Sequence, residues 1–174
     1  HSSDEGFKNQ EKVMNWDINI EFYKDRAIPG KLILTVDGEL NLDAICLGIA
    51  DRQAAIAVGN PTCDPLHKNG NTPCGVYRGQ WEDLDPGRFP AHSYGVSGCV
   101  ALTPISGDCL TAAQNGRTGL LIHSGDLNSN PNVFGGMRPT HGCVRVKPPT
   151  MEAIARLIEG AGEVKVKEID ESSD

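Results

Sequence analysis

The chain has 174 residues, 39% of them apolar and 22% charged, with a formal net charge of −7. That length and composition fit one folded domain with a real core. The acidic balance, with no basic face, argues against a nucleic-acid partner, and no apolar run reaches the ~18 residues that span a bilayer.

His1-Ser2-Ser3 reads as a purification-tag remnant, and residues 1–14 as a flexible N-terminus. A single domain is expected over 15–169, then an acidic tail over 170–174. Residues 16–22 alternate Trp16, Ile18, Ile20 and Phe22 with polar positions, the pattern of a half-buried strand. Residues 31–36 are rich in aliphatic and β-branched side chains and read as a second strand. Residues 44–50 and 54–58 read as strands flanking a turn at Asp51-Arg52. Residues 99–102 and 120–123 are short strands, and 163–169 is a last alternating one. Helices are few. Asp108 would cap a short helix ending at Gly116. Thr150 would cap a helix over 151–159, with Gly160 just past its end and Met151, Ile154, Leu157 and Ile158 on one face. Loops rich in Pro, Gly or Asn fill 61–75, 83–90 and 125–139, and the last is long enough to act as a lid. The fold class is β-rich α+β, with mixed sheets or a sandwich and few short helices.

The six cysteines are Cys46, Cys63, Cys74, Cys99, Cys109 and Cys143. An even count suggests disulfides in an oxidising compartment, and at least one is expected. Cys63 with Cys74, or Cys99 with Cys109, would close short loops worth ~2–4 kcal/mol each. The alternative is buried, reduced thiols packed as small hydrophobes.

The chemistry concentrates in two segments. Leu121-Ile122-His123-Ser124-Gly125 ends a strand with a histidine. Seventeen residues after that histidine begins Thr140-His141-Gly142-Cys143-Val144-Arg145. A thiol needs a base to act as a nucleophile, and the base needs an orienting group. Gly142 lets a substrate carbonyl approach the backbone, where amides around Cys143 would form an oxyanion hole. Arg145 would share a strand face with Cys143 and hold a substrate carboxylate.

This pattern resembles the L,D-transpeptidase (YkuD-type) catalytic domain, whose motif is a histidine, a spacer, then Ser/Thr-His-Gly-Cys-x-Asn/Arg. A second likeness is the element Asn71-Thr72-Pro73-Cys74-Gly75-Val76-Tyr77. The resemblance spans residues 55–160. It implies Cys143 as nucleophile, His123 as general base, and the Ser124 carbonyl as orienter. The amides of Gly142 and Cys143 would bind the oxyanion, with His141 and Thr140 lining the site. Arg145, Arg138 and Tyr77 are the further substrate-contacting candidates. The segment from Gly116 to His123 also looks like the branch used as type VI secretion effectors. Ser124 departs from the family pattern, since many members have Gly directly after the first histidine.

The implied reaction is acyl transfer from a peptidoglycan stem peptide through a thioester. D-alanine leaves, and an amine or water accepts the acyl group. No cofactor or metal is implied. The place of action would be periplasmic or extracellular, and an immunity or inhibitor protein is a candidate partner. Rival readings are a zinc site built from His123, His141 and Cys143, and a peptidoglycan-binding module without turnover. A calcium loop at Asp126, Asn128 and Asn130 is rejected, because Pro131 and Met137 stand where Gly and Glu are required.

Overall fold

The computed structural model describes residues 15–170. The expected loose N-terminus over 1–14, and all of the acidic tail except Asp170, lie outside the described residues.

β1 (Trp16–Tyr23) sits inside a mixed sheet, and its alternation fixes its register. Trp16, Ile18, Ile20 and Phe22 point into the core while Asp17 and Asn19 face out. β2 (Gly30–Val36) pairs with it antiparallel, and β3 (Glu39–Cys46) pairs with β2. On the other side β1 runs parallel to β8 (Ala161–Ile169), with Ile18 opposite Val164 and Ile20 opposite Val166. β4 (Gly75–Glu82), β5 (Cys99–Ser106), β6 (Leu121–His123) and β7 (Val144–Arg145) complete the eight-stranded order β3-β2-β1-β8-β4-β5-β6-β7. β6 and β7 are parallel, and that pairing builds the site.

Among the described residues, four short α-helices lie between the strands: α1 (Arg52–Ala57), α2 (Ala91–Tyr94), α3 (Asp108–Gln114) and α4 (Pro148–Leu157). α1 replaces the strand expected over 54–58. The Asp51 carboxylate accepts the amides of Gln53 and Ala54, an N-cap that starts a helix where apolar content suggested a strand. The strand expected over 44–50 stops at Cys46, and only isolated bridges at Leu47 and Ala50 continue it. α4 starts two residues before Thr150, on Pro148 and Pro149, with Lys147 at the cap position. Its Met151 and Ile154 enter the core, followed by Ile158.

All six cysteines are free thiols, which corrects the expected disulfide. Cys99 opens β5 and Cys109 lies in α3 beyond its far end. An extended strand of that length separates the two by roughly 20 Å, far beyond the ~7 Å limit for bridging Cα atoms. Cys109 Sγ instead donates to the carbonyls of Val76 and Ser106, and Cys74 Sγ lies 3.7 Å from Arg26 Nη2.

Candidate active site

The β6–β7 register places Ile122 opposite Val144 and His123 opposite Arg145. Ile122 and Val144 are fully buried in the core. Strand alternation therefore turns Cys143, His123 and Arg145 to the other side of the sheet. There they line a cleft of about 260 Å³ with Asp51, Ser93, Tyr94, Arg138, Pro139, Thr140 and His141. The structure thus gathers Cys143, His123, His141, Thr140, Arg145 and Arg138 in one place. A second cavity, of about 350 Å³, meets the first at Tyr94, His141 and Cys143 and extends past Lys68 and Arg117.

His123 is buried, and its Nδ1 lies 2.7 Å from the Ser124 carbonyl oxygen. With the proton on Nδ1, Nε2 is the basic nitrogen. Burial, reinforced by the Arg145 charge, pulls the His123 pKa down to about 4 against the opposing bond to Ser124. The imidazole is therefore neutral at pH 7. Tyr94 packs on the ring with centroids 4.7 Å apart, and Phe89 meets Tyr94 edge-on at 5.0 Å.

Cys143 is half-buried, and its Sγ accepts the Leu121 amide at 3.4 Å. Burial pushes the thiol pKa up, while the Leu121 amide and the charges of Arg117 and Arg145 pull it down. The cysteine turn is held by hydroxyls. Thr140 Oγ1 accepts the Gly142 amide at 3.0 Å and donates to the Cys143 carbonyl at 2.8 Å. Thr72 Oγ1 donates to the Gly142 carbonyl at 2.7 Å. The Gly142 amide, expected in an oxyanion hole, is thereby engaged by Thr140. Among the described residues, the Cys143 amide carries no acceptor.

Arg145 is buried but lines the cleft, and three of its hydrogen bonds go to backbone carbonyls. Its Nε donates to the Arg138 carbonyl at 2.7 Å, and its Nη1 to Ser93 at 3.0 Å and Ser124 at 2.6 Å. The Ser124 oxygen that faces His123 Nδ1 is thus also held by Arg145. Arg138 spans the rim, donating from Nε to the Asp126 carbonyl at 3.0 Å and from Nη2 to the His92 carbonyl. It ties the 125–139 loop to α2. Of that loop only Arg138 and Pro139 reach the cleft, whereas Ser93 and Tyr94 of α2 lie over the imidazole side. Tyr77 is not in the site. It is fully buried, and its hydroxyl donates to the Pro73 carbonyl at 2.6 Å, so its expected substrate contact is corrected to a core role. Ser124 is buried and is absent from the cleft lining. Among the described residues, no three His, Cys, Asp or Glu side chains converge as metal ligands.

Sequence reasoning offered Tyr94 only as one of several aromatics able to stack along a substrate groove and gave Arg117, Asp51 and Ser93 no role, yet all four line the two cavities. An aromatic in a four-residue helix and an arginine after a helix carry no local signal of what they touch.

Residues 48–166 match the L,D-transpeptidase catalytic domain family. No curated protein matches the chain. Among solved structures, the chain is similar to L,D-transpeptidase 1 from Mycobacterium tuberculosis at 12% identity and a TM-score of 0.43, covering 87% of this chain and 62% of that one. It is also similar to a variant of the Enterococcus faecium L,D-transpeptidase at 18% identity and a TM-score of 0.47, covering 86% of this chain and 49% of that one. The chain thus spans about half to three fifths of the length of these structures.

Proposed function

The chain belongs to the L,D-transpeptidase catalytic domain family, and from that premise we propose that it transfers acyl groups of peptidoglycan stem peptides through Cys143. The observation that carries the proposal is the β6–β7 pairing. It sets Cys143 and His123 on one face of the sheet, with His123 Nδ1 on the Ser124 carbonyl.

In this reading, Nε2 of neutral His123 accepts the Cys143 proton as sulfur attacks the carbonyl carbon of a stem tetrapeptide. The Cys143 amide donates to the oxyanion. Collapse breaks the bond to the terminal D-alanine, whose nitrogen takes the proton from His123. A thioester on Cys143 remains. An acceptor amine or water, deprotonated by His123, then attacks the thioester, and the sulfur leaves. Arg145 holds the Ser124 carbonyl in place throughout, and Tyr94 fixes the plane of the imidazole. Action in the periplasm or outside the cell follows from where stem peptides occur. Among the described residues, no helix is long and apolar enough to cross a membrane.

Rapid quenching with a tetrapeptide substrate, followed by intact-protein mass spectrometry, tests this. An adduct of the tripeptide acyl mass that maps to Cys143 and is released by hydroxylamine supports the thioester. A folded protein that turns substrate over with no adduct, and equally well as Cys143→Ala, contradicts it.

A further inference from the structure

Arg117 is 5% exposed. Its position follows from the end of α3. The Gly116 amide donates to the Ala113 carbonyl and the Arg117 amide to the Ala112 carbonyl, a Schellman closure with Gly116 at φ +94. This turn sends the Arg117 side chain under the cysteine turn. Nη1 donates to the carbonyls of Pro65 at 2.6 Å and Asn71 at 2.9 Å, and Nη2 to those of Gly70 at 3.1 Å and His141 at 3.3 Å. A Cβ on Gly142 would lie 2.0 Å from Nη2.

All four hydrogen-bond partners are neutral. Among the described residues no carboxylate contacts it, though Asp64 acts on it from a distance, and a buried cation held only by neutral groups is costly and keeps much of its field. That field reaches Cys143, and an anion formed on the sulfur in turn favours the Arg117 charge. We propose that Arg117 is a positioning residue for the thiolate. Its fork joins the 61–75 loop to the cysteine turn, and its charge stabilises the anionic sulfur. The role in turnover rests on the proposed function, whereas the effect on the thiol does not.

The test is the pH dependence of Cys143 alkylation by iodoacetamide, read by peptide mass spectrometry, with melting curves to confirm folding. Arg117→Gln removes the charge, and its alkylation midpoint should rise by about one pH unit or more. In Arg117→Lys a single ammonium cannot bond both pairs of carbonyls, so the charge shifts and the midpoint should rise by a smaller step. If Arg117→Gln does not fold, the lysine variant decides. A folded variant of either kind with the wild-type midpoint overturns the proposal. Wild-type protein that is alkylated at Cys143 but leaves muropeptides unchanged would sink the proposed function and still allow this inference to be read.

Discussion

The charge state of the site rests on His123, because burial and Arg145 hold its pKa near 4. Unfolded histidine titrates near 6.5, so between these values the unfolded chain binds more protons than the folded one. Stability from this group is therefore full above about pH 6.5 and falls as pH drops toward 4, by on the order of 3 kcal/mol. Melting temperature should decline across that window in wild type and decline less in His123→Gln. An equal slope in both would place the acid sensitivity elsewhere. Arg145 acts on the same imidazole through the Ser124 oxygen. Arg145→Lys should lower turnover by about tenfold or more, since sub-ångström loosening of a base is costly. The substitution should also lower the melting temperature, because a lysine cannot keep all three bonds to the Arg138, Ser93 and Ser124 carbonyls. The pairing of a strand-end histidine with a Gly-Cys motif was legible because both sit in short segments whose residue types point to nucleophile chemistry more than to packing. The work of Arg145 was not, because a strand position gives a face and not a set of hydrogen-bond partners.

At the scale of elements, the cysteine turn is a packed object. Gly142 has φ +112, and a Cβ there would meet Arg117 Nη2 at 2.0 Å and the Gly70 carbonyl oxygen at 2.6 Å. Gly142→Ala should cost about 2–4 kcal/mol or displace the turn, read as a lowered urea midpoint together with lost activity. Tyr77→Phe tests the corrected role of Tyr77. It leaves the Pro73 carbonyl without its donor and should cost about 1–3 kcal/mol in denaturant titration with KM unchanged. A raised KM in a fully stable variant would return Tyr77 to the substrate groove. Sequence reading succeeded at β1 and β8, where the period of two is strict. It failed at α1 because Ala54-Ala55-Ile56-Ala57 has no period long enough to separate helix from strand, and only the Asp51 cap decides. It passed over β4, whose two glycines and mixed polarity hide a strand paired on both sides.

At the scale of the molecule, one sheet carries both the core and the candidate site. β1, β2, β8 and β4 bury the large apolar side chains, and the short parallel pair β6–β7 at one end brings Cys143 and His123 to the cleft. The cysteines take no covalent part in this architecture. Thiol titration in denaturant without reductant should give all six, and added reductant should leave the melting temperature unchanged. Fewer than six would restore a disulfide. The even cysteine count misled because it carries no distance, and the strand between Cys99 and Cys109 sets one.

Mass spectrometry of tetrapeptide muropeptides, incubated with wild type and with Cys143→Ala, is the most direct test of acyl transfer by Cys143. The expected result is loss of one D-alanine, or its replacement by a new peptide cross-link, with the wild type alone. Identical muropeptide profiles from both folded proteins, with the Cys143 thiol reduced, would contradict it.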